Sequence, residues 1–334
     1  MNRQIVLNER PVGFPTADTW HLLEVPEKKL REGEVNVKNI YASIDPTMRG
    51  WVSERKSYLP PVEIGAVMRA LTVGEVVSTK HPGFQVGDYV HGPGGIQDFS
   101  ISNGEIWRKI ESTSIPLEKY LSILGMTGLT AYFGLLDIGK PKEGETILVS
   151  GAGGAVGSIV GQIGKIMGCR MVGIAGGAEK CKRLISHYGY DAAIDYKSEN
   201  VWSALKKTCP EGIDIYFDNV GGEVLDMALA KLKLKGRIVL CGAISQYNAD
   251  KNQGPANYMS LVINRGRMEG FLVMDYAKEY RKAATEIAGW MREGKLISDE
   301  HIEIGIENFF PAFQKLFTGN KRGKLILQIN PPTS

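Results

Sequence analysis

Cysteine is scarce in this chain of 334 residues: there are four, and Cys169, Cys181, Cys209 and Cys241 all fall after position 168. They show no Cys-x-x-Cys spacing and no histidine at ligand spacing, which argues against a disulfide framework and a structural zinc lobe and for reduced thiols in a cytoplasmic protein. The first 168 residues also hold few histidines, namely His21, His81 and His91. A catalytic zinc needs a thiolate, an imidazole and a further ligand to converge, so no metal site is expected there. No apolar run approaches the ~20 residues of a membrane helix, and the opening MNRQIVLNERP lacks the shape of a signal peptide. Nor is there a dense block of one charge: 40 Lys and Arg against 37 Asp and Glu leave a net charge of +3, spread along the chain. Neither nucleic acid nor a membrane surface is therefore an expected partner. What remains is an ordinary globular composition, in a chain long enough for two cores.

The most informative stretch is 145–177, ETILVSGAGGAVGSIVGQIGKIMGCRMVGIAGG. Thr146–Val149 reads as a strand running into a glycine-rich turn. A helix with apolar positions Val156, Ile159, Val160, Ile163, Ile166 and Met167 follows, then a second strand over Arg170–Ala175. Strand, turn, helix and strand in that order set a phosphate on a helix N-terminus. Gly151, Gly154 and Gly157 recur every third residue, with Gly153 between the first two. Val156 breaks a strict G-x-G-x-x-G, so the context rather than the spacing identifies a dinucleotide turn built from Gly151, Gly153, Gly154, Ala155, Val156 and Gly157. An NAD site places an acid at the end of the second strand, about 20 residues on, to hold the ribose hydroxyls. Here Ala175-Gly176-Gly177-Ala178 carries none, while Lys180 and Lys182 follow at once, where an ammonium meets a 2′-phosphate. NADPH is the expected cofactor; the competing reading gives the ribose to Glu179 and leaves the lysines on a solvated face.

Around this unit the chain divides in two. Residues 1–118 read as a β-rich meander, with strands near Val35–Lys38, Val73–Val77, Gly87–Val90, Gln97–Ile101 and Ile106–Ile110 and turns at Gly and Pro. Leu117–Leu136 reads as a connecting helix pair. From residue 144 to about 270 six strands alternate with helices, the pattern of a doubly wound parallel sheet. The expected strands after the first two are Ala192–Asp195, Ile213–Asn219, Arg237–Gly242 and one near Met268–Val273. A long helix over Ala277–Arg292 follows, and Lys324–Ile329 alternates like a strand returning to the first domain. The expected domains are 1–118 completed by 299–334, and 119–298.

Several stretches, in order, resemble one family. Ile44-Asp45-Pro46-Thr47-Met48-Arg49-Gly50, Ser57–Pro61, Phe217-Asp218-Asn219-Val220-Gly221-Gly222 and Cys241–Asn248 are similar to the zinc-independent medium-chain dehydrogenase/reductases of the prostaglandin, curcumin and alkenal reductase group. The resemblance implies a GroES-like catalytic domain beside a Rossmann domain, often in a dimer. It implies NADPH-dependent reduction of the carbon–carbon double bond of α,β-unsaturated ketones and aldehydes. It also implies that Lys180 and Tyr196 contact the 2′-phosphate, and that Asn219, the segment Cys241, Gly242, Ala243, Ile244, Ser245 and Tyr247, and Phe271, Leu272 and Val273 line the cofactor. The family places an asparagine before its last Gly-Lys pair; here Asn320 supplies that contact or Lys321 replaces it.

In that chemistry a hydride reaches the β-carbon, charge moves to the carbonyl oxygen and a proton arrives at the α-carbon. A tyrosine hydroxyl suits the oxygen, being a neutral donor that needs no prior charging. Tyr247, after the strand-end loop, is the first candidate and Tyr58 the second; each could also be a cleft residue packed on a ring. Where some relatives carry another tyrosine, eight residues before the Phe271 position, this chain has Ile263. Arg49 reads as half of a buried ion pair with Asp45 rather than as an oxyanion clamp. Met48, Tyr58, Met126, Thr127 and Tyr258 are expected to wall an apolar substrate pocket. The rival functions are a quinone oxidoreductase with the same cofactor, and a nucleotide-binding redox sensor without turnover.

Overall fold

A computed structural model describes residues 1–111, 114–249, 251 and 253–332. In chain order the strands are β1 (Asn2–Leu7), β2 (Trp20–Val25), β3 (Val35–Ser43), β4 (Thr72–Thr79), β5 (Tyr89–Gly92), β6 (Phe99–Ser102) and β7 (Arg108–Lys109). The parallel unit follows with β8 (Thr146–Ser150), β9 (Arg170–Ala175), β10 (Ala192–Asp195), β11 (Ile213–Asp218), β12 (Leu232–Leu240) and β13 (Arg267–Gly270), and the tail adds β14 (Glu300–Ile304) and β15 (Lys324–Gln328). The α-helices are α1 (Met48–Trp51), α2 (Met126–Phe133), α3 (Gly157–Ile166), α4 (Ala178–Ser186), α5 (Val201–Thr208), α6 (Gly222–Ala230), α7 (Ser260–Asn264), α8 (Tyr280–Arg292) and α9 (Phe309–Thr318). Two compact units result: Met1–Leu121 with Glu300–Ser334, and Ser122–Asp299.

Unit one is not the simple meander that its turns predict. Its seven-stranded sheet runs β14-β15-β3-β4-β5-β7, with β6 also paired to β3, so the tail strand β15 enters antiparallel beside β3. The reason is apolar: Leu325, Ile326 and Leu327 are buried, and the rings of Phe309 and Phe313 on α9 lie 5.2 and 5.3 Å from Trp20. The expected strand 106–110 shrinks to Arg108–Lys109, both exposed, while Trp107 turns inward to Val35, Val37, Val76 and Val90.

Unit two holds a six-stranded sheet in the order β10-β9-β8-β11-β12-β13, parallel throughout. That is the 3-2-1-4-5-6 order of a doubly wound dinucleotide fold, and its crevice lies at the carboxyl ends of β8 and β11. Strands β8 and β11 are apolar on both faces, as helices on both sides require. Several boundaries depart from the sequence reading; the strand expected near Met268–Val273, for one, is Arg267–Gly270. β12 begins at Leu232 rather than Arg237, because Lys-Leu-Lys-Leu-Lys-Gly forms a bulge in the strand, with Lys235 at φ 62°. The connecting helix pair becomes a 3-10 turn at Leu117–Leu121, α2 and a π-helical turn at Gly134–Gly139. The long helix starts three residues late, at Tyr280, behind a 3-10 stretch over Val273–Glu279.

Candidate active site

Two glycines of the turn after β8, Gly151 and Gly157, have a steric reason. Gly151 sits at φ 58°, a region that disfavours a side chain. A Cβ on Gly157 would stand 2.5 Å from the Gly151 carbonyl oxygen and 2.7 Å from the Ala152 Cα, so α3 can start this close to the strand only from glycine. Behind it, the buried Tyr190 fills the space between α3 and the sheet. Its hydroxyl donates to the Gly157 carbonyl at 2.7 Å, and a Cβ on Gly161 would fall 2.0 Å from its ring. Helix, strand and turn thus approach closely enough to present backbone N–H groups to a phosphate.

Two residues predicted to read a 2′-phosphate arrive at the same corner. The Lys180 stem crosses the turn, with its Cδ 3.7 Å from where a Gly153 Cβ would be. The Tyr196 ring covers Gly176, whose Cβ would stand 2.8 Å from that ring and its hydroxyl. Lys180 is half-buried, and its pKa is lowered by desolvation and by the Lys197 ammonium. A half-buried ammonium with a second, exposed one beside it makes an environment that favours an anion. The one carboxylate at the end of the neighbouring strand, Asp195, is turned inward: it accepts the Gly177 and Lys197 N–H groups at 2.7 and 3.0 Å, which hold its pKa low. Glu179, the rival ribose ligand, is exposed on the first turn of α4.

Sequence reasoning missed the centre of the carboxyl edge, which is Asp218. Its side chain is buried, and Oδ1 accepts Ser150 Oγ at 3.0 Å, Tyr216 Oη at 2.7 Å and the N–H groups of Val220 and Gly221 at 2.9 Å. Its carbonyl accepts the Cys241 and Gly242 N–H groups at 2.9 and 3.0 Å. Ser150 Oγ in turn accepts the Asn219 N–H at 2.9 Å, and Asn219 Nδ2 donates to the Ser150 carbonyl at 2.7 Å. One acid therefore ties together the loops after β8, β11 and β12. An acid directly after the buried run Ile215-Tyr216-Phe217 was the available signal.

The next loop continues that edge. Ser245 Oγ and N–H both donate to the Val220 carbonyl, and the Ile244 N–H donates to the Asn219 carbonyl. Tyr247 folds back over its own loop: its hydroxyl accepts the Ala243 N–H at 3.3 Å and lies 3.0 Å from where a Gly242 Cβ would be. The Cys241 thiol is no nucleophile at neutral pH, since burial and then the Asp218 charge push its pKa up to about 12. Phe271 packs on the π-helical turn, where a Gly134 Cβ would meet its ring at 2.5 Å. Near it, Met126 begins α2 with its sulfur 3.8 Å from Tyr280 Oη, and Thr127 Oγ1 donates to the Ser122 carbonyl at 2.9 Å. Tyr258 is 57% exposed.

In unit one, Tyr58 is exposed and its hydroxyl lies 2.5 Å from Thr47 Oγ1. Met48 is fully buried among Ile44, Trp51 and Phe313, so it is a core residue and leaves the list of pocket walls. The expected Asp45–Arg49 pair is replaced. Asp45 pairs with the buried Lys324 at 2.8 Å, Lys324 also donates to the Ile44 carbonyl, and Arg49 reaches the Gly13 carbonyl at 2.7 Å. Asn320 is exposed, and Lys321 Nζ donates to the Gly323 carbonyl at 2.8 Å within the same loop. Among the described residues no three His, Cys, Asp or Glu side chains come together as a metal site, and no helix is long and apolar enough to cross a membrane.

A β-rich unit completed by the tail, and a 3-2-1-4-5-6 sheet whose glycine turn faces a lysine, define a medium-chain dehydrogenase/reductase that fits a 2′-phosphorylated dinucleotide. Comparison with known proteins agrees. Residues 3–110 match the family described as the N-terminal domain of oxidoreductase, and residues 155–289 the family described as zinc-binding dehydrogenase. The chain is 42% identical to the NADPH-dependent curcumin reductase of Escherichia coli, over 98% of this chain and 97% of that one. It is 41% identical to the NADP(+)-dependent 2-alkenal reductase of Nicotiana tabacum, over 98% of each. The crystal structure of CurA from Vibrio vulnificus in complex with NADPH superposes with a TM-score of 0.95 at 44% identity, covering 99% of this chain and 100% of that one. The chain belongs to the medium-chain dehydrogenase/reductase family, in the group of curcumin, alkenal and prostaglandin reductases.

Proposed function

We propose that this protein is an NADPH-dependent reductase of the carbon–carbon double bond in α,β-unsaturated ketones and aldehydes. The observation that carries the reading is similarity along nearly the whole chain to proteins named curcumin reductase and 2-alkenal reductase. When bound, NADPH supplies the hydride that reduces the β-carbon. Lys180 and Tyr196 would hold its 2′-phosphate, the turn from Gly151 to Gly157 its pyrophosphate, and Asn219, Gly242–Ser245 and Phe271–Val273 the remainder. Met126, Thr127 and Tyr258 are the proposed substrate walls on unit two.

Tyr247 is the proposed donor to the substrate's carbonyl oxygen. Its hydroxyl oxygen already accepts the Ala243 N–H, which orients the group and polarises its own O–H. As the double bond is reduced, negative charge grows on that oxygen, and a donor placed there lowers the barrier. Tyr58, with its hydroxyl on Thr47, is the second candidate and Asn320 a further cofactor contact; both are carried forward for mutagenesis.

NADPH oxidation with a simple enone, an enal and a small quinone, with each product identified, tests the reading. A saturated ketone with its carbonyl intact is expected. Hydroquinone as the sole product would assign a quinone reductase, and tight NADPH binding with no turnover would assign a redox sensor.

The same reading includes a cytoplasmic homodimer. Strand β13 is one edge of the parallel sheet, and the segment leading into it, Met259 with α7, exposes Met259, Val262 and Ile263 at 51, 65 and 70%. An open strand edge flanked by an apolar helix suits a second copy. Sedimentation should show a dimer that Ile263→Lys weakens.

A further inference from the structure

The amino ends of the unit-two strands, opposite the glycine turn, border an open cavity of about 480 Å³. Six cations line it, Lys140, Lys142, Lys235, Arg237, Arg265 and Arg267, against the two carboxylates Glu145 and Asp214. Both acids are already matched. Arg237 pairs with Glu145, and Lys233 holds Asp214 at 2.9 Å. Lys140 and Lys235 have no ion pair among the described residues.

The backbone supplies an independent observation. Three non-glycine residues have positive φ among the described residues: Lys140 at 50°, Lys235 at 62° and Arg265 at 47°. All three line this one cavity. Left-handed backbone costs a side-chain-bearing residue on the order of 1 kcal/mol, and glycine would adopt it freely. Lys140 ends the π-helical turn, Lys235 caps the bulge in β12 and Arg265 ends α7, so three unrelated elements each spend their strained residue on a cation aimed at one space. The rim is fixed by arginines that bind main chain. Arg237 Nε donates to the Gly139 carbonyl at 2.8 Å and Nη2 to that of Lys140 at 3.1 Å, and Arg267 donates to the Ile138 carbonyl. Strain of this kind persists where the surroundings over-determine it, and it concentrates at ligand sites.

We propose that this cavity binds a small polyanion of the oligophosphate class, carrying two or three phosphoryl groups, at a site separate from the one that holds NADPH. The ammonium groups of Lys140, Lys142 and Lys235 match phosphoryl oxygens beside arginines held on the main chain, and the excess of four positive charges suits an ion of charge three or four.

The test uses the full chain saturated with NADPH, so that the cofactor's phosphate contacts are occupied, titrated calorimetrically with sodium tripolyphosphate and separately with ATP. The comparison protein carries Lys140→Gly, Lys235→Gly and Arg265→Gly, which remove charge where glycine suits the backbone, so the variant keeps its fold. Tripolyphosphate should bind the wild type, more weakly as salt rises, and bind the variant at least tenfold more weakly. Enone reduction by the variant should be unchanged. Binding of ATP as tight as tripolyphosphate assigns nucleotides as ligands; tripolyphosphate alone assigns free oligophosphate. Equal affinity in wild type and variant, or no binding at millimolar tripolyphosphate, overturns the proposal. So does binding of single-stranded RNA here when tripolyphosphate does not bind.

Discussion

In the proposed account, the two ends of one parallel sheet would hold phosphate in opposite ways. At the carboxyl end side chains are stripped away: Gly151 and Gly157 let backbone and helix N-terminus come close, and Lys180 lies across the turn. At the amino end the backbone is strained so that long cations stand together, three of them on left-handed residues. Backbone donors with fixed geometry suit a ligand whose position must be held to a fraction of an ångström for hydride transfer. Flexible cations suit an anion whose charge matters more than its pose.

The largest effect should come from the turn. Gly157→Ala puts a methyl 2.5 Å from the Gly151 carbonyl, and because neither backbone segment can yield, NADPH affinity should fall about a hundredfold, some 2.7 kcal/mol. Fluorescence titration of NADPH measures this, and unaltered affinity would break the contrast between the ends. Lys180→Ala removes one charge-assisted contact and should raise KM for NADPH about thirtyfold while leaving NADH nearly unchanged. Equal changes for both cofactors would take the 2′-phosphate away from this corner. Tyr247→Phe should depress kcat about tenfold with little change in KM for NADPH, and a fully active variant would return Tyr247 to packing.

A control that sits at neither phosphate site is Asp299, which accepts Tyr188 Oη at 2.6 Å and pairs with Arg183 and His187. Burial alone would raise its pKa, but the hydrogen bonds from Tyr188 and Arg183 bring it below the ordinary carboxylate value. A depressed folded pKa gives stability that is fully present above the unfolded value of about 3.9 and is lost as pH falls through the folded one. Asp299→Asn should therefore cost about 1 kcal/mol at pH 7 and progressively less toward pH 3, read from urea midpoints, with NADPH binding unchanged.

The contrast between the ends was only half legible in the sequence. Gly151–Gly157, the missing acid at Gly176-Gly177 and Lys180 are local signals, legible from their place in a strand–turn–helix–strand stretch. Asp218 was not legible as the hub of the edge, because Ser150 and the Cys241 and Gly242 amides meet it only once β8, β11 and β12 are parallel neighbours. The cationic cavity escaped for the same reason, since its residues come from four separate strand entries and read as scattered surface charge. Lys-Leu-Lys-Leu-Lys-Gly was left out of the strand expected to begin at Arg237, because a bulge breaks the period of two that marks a strand. Met48 misled in another way: composition marks it as apolar and adaptable, and only packing decides between core and pocket.

The central claim is that the carboxyl end of the sheet directs hydride to the β-carbon of a conjugated carbonyl. The most direct measurement runs the reaction in ordinary water with NADPH deuterated at the transferred position, and locates the label in the product of a simple enone by NMR. The account predicts deuterium at the β-carbon, hydrogen from solvent at the α-carbon and an intact ketone. Deuterium on the carbonyl carbon of an alcohol, or no label in any product, would contradict it.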